Sequence, residues 1–129
     1  YKSENIILHG PKKQSDLYWY YGQCDVFCLV SVEDGLAMAQ AQAMACGLPI
    51  IATENTGAGE FVESEKNGFI VHSRDIEDLK AKISYFYKNR EESKRMGKAA
   101  KTTIENGFSW SDYGARYSQN LENIFSKHF

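Results

Sequence analysis

The sequence predicts an α/β fold, a parallel sheet with flanking helices. Two observations carry that expectation. The runs "DVFCLVS" (Asp25 to Ser31) and "PIIAT" (Pro49 to Thr53) are apolar throughout and of strand length. Such runs suit parallel strands buried on both faces, where no polar alternation survives. Segments with helical spacing stand between and after them, so the order reads βαβαβ(α)βααα.

Each element has its own reason. "NIILHG" (Asn5 to Gly10) reads as a short buried strand over 5–9 that stops at glycine. "KQSDLYWYYGQC" places aromatic side chains at helical spacing and predicts a helix over 14–22. A second strand follows at 26–30. The alanine-rich stretch from Leu36 to Cys46 predicts a helix, which Gly47 stops before Pro49 opens the strand at 49–53. "ENTGAGE" is a glycine-bearing loop leading to a short helical turn through Phe61 and Val62. "EKNGFIV" turns into a strand at 68–71. In "RDIEDLKAKISYFYKN", Ile76, Leu79, Ile83 and Phe86 fall on one amphipathic face. Two helices close the chain, over 91–105 and 110–126, the last capped by Ser109 or Ser111. No repeat, linker or low-complexity tract interrupts this order.

Composition narrows the function. At 129 residues the chain can bury one core. With 43% hydrophobic and 25% charged residues it has the balance of a globular domain. A net charge of −2 without a dense basic patch argues against nucleic acid as partner. No apolar run approaches the roughly 20 residues of a membrane span. No signal peptide is recognisable, so the expectation is a cytoplasmic protein. Cys24, Cys28 and Cys46 are expected to be reduced, buried thiols, since their spacing with His9 matches no zinc pattern.

The chemistry concentrates in "EDGLAMAQAQAMACGLPII" (Glu33 to Ile51). In a doubly wound sheet, ligands lie at the carboxyl ends of strands. Ser31 through Leu36 falls there. Free N–H groups at a helix start favour anions such as phosphate. Gly35 lets backbone approach a ligand closely. If the helix ran from Asp34, Gln42 would lie roughly 12 Å along the axis and about 80° around it, so both could line one groove. A plainer account makes Asp34 a helix cap and gives Gln40 and Gln42 only loop backbone to bond. Tyr18 through Tyr21 likewise read first as packing, with a sugar-stacking platform as the sharper reading.

At these residues the sequence resembles the retaining nucleotide-sugar glycosyltransferases of the GT-B fold, the group of sucrose and glycogen synthases and many capsule transferases. The hallmark of that family is two glutamates separated by seven residues. Here it stands as "DGLAMAQAQAMACGLPIIAT", and the likeness continues through "NTGAGEFVESEKNGFIV", "DIEDLKAKI" and "FSWSDYGARY". The resemblance implies a Rossmann-like parallel sheet belonging to the donor-binding, C-terminal domain. It implies that Asp34 replaces the first Glu, beside the reacting carbon of the donor sugar. Backbone of Gly35, Leu36, Ala37 and Met38 would serve the sugar and phosphate. Gln42 would take the second Glu's place at the ribose, and His9 and Gly10 would approach the nucleobase.

Both hallmark acids are therefore changed. Gln42 can still accept a ribose hydrogen bond but carries no charge, and Glu33 adjoins Asp34 as a substitute acid. The family's opening strand, with its phosphate-clamping cations, and its whole acceptor domain have no counterpart here; Lys12 and Lys13 match those cations only weakly. The resemblance thus implies that residues 1–129 are part of a donor domain, inactive alone. The donor would be a nucleotide-diphosphate sugar, with no separate cofactor and no metal. The acceptor, a carbohydrate or lipid-linked hydroxyl, would sit on the missing domain. An alternative is a non-catalytic nucleotide-binding or interaction module. With two strands missing, the 26–30 strand would expose an edge. Pairing with 5–9 is the favoured resolution, a homodimer the next.

Overall fold

The computed structural model describes residues 4–128. After a 3-10 turn at Gln14–Asp16 the elements are α1 (Leu17–Tyr21), β1 (Phe27–Leu29), α2 (Met38–Ala45), β2 (Ile50–Thr53), a second 3-10 turn at Ala58–Glu60, β3 (Gly68–Val71), α3 (Ile76–Lys88), α4 (Arg90–Glu105) and α5 (Trp110–His128). The three strands form one parallel sheet in the order β1-β2-β3. The predicted parallel sheet with flanking helices is thus the architecture observed. The short turn falls at 58–60, just ahead of the expected Phe61 and Val62.

Alternate side chains of β2 enter two different layers, as the period of a strand requires. Ile50 and Ala52 join Met44, Leu48, Phe61 and Ala100 on one face. Ile51 joins Phe69, Val71, Phe86 and Met96 on the other. All four residues of β2 are buried, which explains its unbroken apolar sequence. Ser93, Met96, Gly97 and Ala100 form the buried stripe of α4 at the i, i+3, i+4, i+7 spacing. Its opposite face carries Lys94–Glu91 and Arg95–Glu92 pairs in solvent. Gly97 brings α4 against the backbone carbonyl of Gly47, where a Cβ would collide.

Helix starts follow local chemistry. Asp75 caps α3 by accepting from the Asp78 N–H at 2.9 Å. Ser109 is the cap of α5: its hydroxyl accepts from the Asp112 N–H at 3.2 Å, and its own N–H donates to the Asp112 carboxylate at 2.9 Å.

Four expectations fail, three of them around β1. Residues 5–9 form no strand; Ile6, Ile7 and Leu8 are exposed, with Leu8 87% accessible. Among the described residues strand β1 pairs only with β2, so its outer edge stays open and residues 5–9 do not fill it. The favoured pairing of 5–9 with 26–30 does not form. The cysteines are free but exposed, not buried. Cys28 points to the face of β1 that α3 leaves open, and Cys24 and Cys46 lie at the carboxyl ends of α1 and α2. The amphipathic face of α3 is also narrower than its spacing implies. Phe86 is buried, but Ile76 and Ile83 are exposed, and Ile76 borders a cavity with Val30 on the uncovered β1 side. The fourth failure is the first turn of α2, treated below. Among the described residues no helix is long and apolar enough to cross a membrane.

Candidate functional site

The site is built where two strands end. The chain leaves β1 at Leu29, passes Ser31 to Ala37 as a loop, and enters α2 at Met38. It leaves β2 at Thr53 and passes through a second loop to Gly57. Hydrogen bonds tie the two loops together. Thr53 Oγ1 donates to the Ser31 carbonyl. Asn55 Nδ2 donates to the Val32 carbonyl at 3.2 Å. The Asp34 N–H donates to the Asn55 carbonyl at 2.9 Å. A Cβ at Gly57 would stand 3.0 Å from Leu36 Cα, and Gly57 has φ +66°, so glycine is required there twice over.

The start of α2 is open. Ala37 precedes it in extended backbone, no side chain caps it, and its first turn carries no acid. The Gln40 N–H turns back to the Ala37 carbonyl at 3.0 Å. The Met38 and Ala39 amides precede the intrahelical ladder and are left without partners. Asp34 is exposed and its carboxylate has no hydrogen bond or ion pair, so it does not act as the cap. Gly35 has neither a left-handed φ nor any atom within 4 Å of an added Cβ. Nothing in the chain itself demands glycine there. What the missing side chain leaves is exposed backbone.

The sequence-predicted residues meet only in part. Asp34, Gly35, Leu36, Ala37 and Met38 lie in one continuous segment at the mouth of α2, with Leu36 54% and Met38 50% exposed. Because α2 begins at Met38, helix geometry separates only Met38 from Gln42, a rise of about 6 Å. The 80° relation to Asp34 therefore does not hold. Gln42 is half-buried and makes no side-chain hydrogen bond. His9 packs edge-on against Tyr20 at 4.9 Å, and Gly10 turns with φ +65°. Neither bonds to the 31–42 segment. Among the described residues, no group of three or more His, Cys, Asp or Glu is placed to hold a metal.

Sequence reasoning missed the second loop. Thr53, Asn55, Thr56 and Gly57 hold the first loop in place. The signal was present: a polar cluster ending in glycine directly after a buried strand, at the carboxyl end of the sheet. It also missed α5. Leu36, Met38, Ala41, Phe61, Phe108 and Trp110 line an apolar cavity of about 320 Å³ beside the α2 start. Arg116 reaches the same cavity, donating to the Gly107 carbonyl at 2.8 Å over the Phe108 ring.

The fold and the site define an α/β protein that presents an open helix start and a free acid at the carboxyl ends of parallel strands. Comparison with known proteins gives the family. Residues 2–103 match the model of the family "Glycosyl transferases group 1". The chain belongs to that family. It is 34% identical over 119 residues to spore coat protein SA of Bacillus subtilis, covering 89% of this chain and 30% of the relative. It is 26% identical over 125 residues to the capsular polysaccharide biosynthesis glycosyltransferase CapM of Staphylococcus aureus, covering 94% of this chain and 32% of that one. Among solved structures, Anabaena HepE in complex with UDP aligns with TM-score 0.77 at 21% identity, covering 85% of this chain and 30% of HepE. The chain spans about a third of the length of these proteins.

Proposed function

We propose that residues 1–129 are the larger part of the donor-binding domain of a retaining glycosyltransferase. The donor is a nucleotide-diphosphate sugar and the acceptor a hydroxyl of a growing polysaccharide or glycoconjugate, held by a domain outside this chain. The observation that carries the reading is the open start of α2 beside a free Asp34 and an unfilled Gly35. Unpaired amides there complement a diphosphate, and no side chain of the described residues competes for them. The diphosphate oxygen leaves the anomeric carbon, the acceptor oxygen bonds to that carbon on the same face, and the hydroxyl proton is released. Asp34 orients the sugar, and the helix-start amides stabilise the departing phosphate. Gln42, one turn along α2, meets the ribose, and His9 and Gly10 the base. No cofactor besides the donor is part of this reading. Three free thiols fit a reducing, cytoplasmic setting.

UDP is the first probe, because HepE carries it. In backbone NMR of this chain, UDP is expected to shift the Met38 and Ala39 amides most. Saturable binding with the largest shifts elsewhere, and none at these two, rejects the site. A non-catalytic nucleotide-binding module is the second reading, favoured by the neutral Gln42. Donor turnover by the whole protein separates the two.

A further inference from the structure

Gln40 is fully buried in the first turn of α2, with 0% of its surface accessible. Its Nε2 donates to the Thr56 carbonyl at 2.8 Å. Its Oε1 is buried and accepts from nothing. A buried acceptor without a donor costs on the order of 1–3 kcal/mol. Stability alone therefore gives no reason for an amide here. A leucine would fill the same space and bury no orphan oxygen of its own.

What the amide does supply is a tie. Thr56 is itself fully buried and donates through Oγ1 to the Thr53 carbonyl at 2.7 Å. Asn55, next to Thr56, accepts through its carbonyl from the Asp34 N–H at 2.9 Å and donates through Nδ2 to the Val32 carbonyl at 3.2 Å. A route of two hydrogen bonds joined by the Asn55–Thr56 peptide link thus runs from the first turn of α2 to the backbone of Asp34. Along the chain itself, Asp34 and Met38 are joined by Gly35 to Ala37, none of whose side chains makes a hydrogen bond, and Leu36 packs against Gly57 of the second loop. The second loop thus braces both the segment that carries the acid and the helix start that carries the open amides.

We infer that Gln40 is a positioning residue for the transfer reaction, fixing Asp34 against the α2 amides through Thr56 and Asn55. This rests on the function proposed above. The sugar end of the donor would meet Asp34 and the phosphate end the amides, so the tie holds both ends of one ligand in register. Orientation of this kind acts on the transition state, where misplacement of about 1 Å can cost on the order of a hundredfold.

The test uses Gln40→Leu in the whole protein that carries this chain, with Asp34→Ala alongside. Donors are a panel of UDP-, GDP- and ADP-sugars, read by release of nucleoside diphosphate. Gln40→Leu trades one orphan, Gln40 Oε1, for another, the Thr56 carbonyl. Its thermal midpoint should therefore move by less than about 4 °C. The expected result is kcat lowered about tenfold or more, with Kd for the nucleoside diphosphate within about twofold, because α2 itself is intact. Unchanged kcat in Gln40→Leu beside a defective Asp34→Ala overturns the positioning role alone. A joint fall of thermal midpoint, kcat and nucleotide affinity makes Gln40 merely structural and overturns it too. Normal turnover in Asp34→Ala would move the acid to Glu33 and overturn the tie to Asp34, whereas no turnover of any nucleotide sugar overturns the underlying reading.

Discussion

Asp34 and Gln42 stand at different points of the proposed donor, and their substitutions should part accordingly. On the proposed reading Asp34 adjoins the reacting sugar, so Asp34→Ala is expected to lower kcat in the whole protein by about tenfold or more while leaving nucleotide affinity near normal. Gln42 is free to accept a ribose hydroxyl that stays bound throughout, so Gln42→Ala should raise KM and spare kcat. Steady-state kinetics checks both, and wild-type kcat in Asp34→Ala would point to Glu33 instead. A second residue-scale prediction concerns His72. Its Nδ1 lies 2.7 Å from the Glu54 carboxylate at the carboxyl ends of β2 and β3. That hydrogen bond, with the charge behind it, raises the His72 pKa above its ordinary value and lowers that of Glu54. The contribution of His72 to stability is therefore present below the ordinary histidine pKa and fades as pH rises through the raised one. The contribution of Glu54 is present above the ordinary carboxylate range and fades as pH falls through its lowered pKa. Both groups are exposed, so the effect on stability is small. An NMR titration of the His72 ring should show the raised midpoint, and Glu54→Gln should return it toward the ordinary value.

Among elements, the crossing of α4 over the end of α2 is the tightest. Gly47 ends α2 with φ +82°, and its carbonyl lies where a Cβ on Gly97 would be. Gly97→Ala gains helix propensity of roughly 1 kcal/mol. Against that, it forces α4 away from a backbone atom that cannot rotate aside. Overpacking of this kind costs about 1–3 kcal/mol and sometimes more. The net expectation is destabilisation, measured as a lower midpoint of urea unfolding with unchanged slope. A midpoint equal to or above wild type would show that α4 can slide, and that the close crossing is incidental. The same crossing bears on the site, because α2 is held at its carboxyl end by α4 and at its amino end by the second loop.

On the scale of the molecule, β1 is the weak side. Its outer edge pairs with nothing among the described residues, and the apolar side chains of Val30 and Ile76 remain exposed beside it. Unpaired N–H and C=O groups next to apolar surface recruit another strand. The chain in isolation is expected to self-associate as its concentration rises, and Val30→Lys should weaken that association. Light scattering on both variants checks it. A monomer at every concentration would mean that exposed 5–13 shields the edge in solution.

Sequence by itself determined the buried strands β2 and β3, the helices α3 to α5 and the place of the candidate site. These depend on local patterns: unbroken apolar runs, a 3.6-residue period, a serine before a helix, a glycine after one. It also located Asp34 to Met38, because a loop between a buried strand and a helix falls at the carboxyl end of a parallel sheet. Tertiary structure alone decided the rest. "NIILHG" has the composition of a strand, but a strand exists only as half of a pair, and residues 5–9 do not dock on the open edge of β1. The cysteines look like core residues, yet burial depends on what covers a face, and α3 stops short of β1. Gln40 and Gln42 read alike in sequence; one is sealed against Thr56 and the other left free, because two positions stand about 200° apart around a helix and only one of those sides meets the second loop. The loop from Thr53 to Gly57 acquires its role in the same way, through hydrogen bonds to residues about twenty positions away that no local pattern encodes.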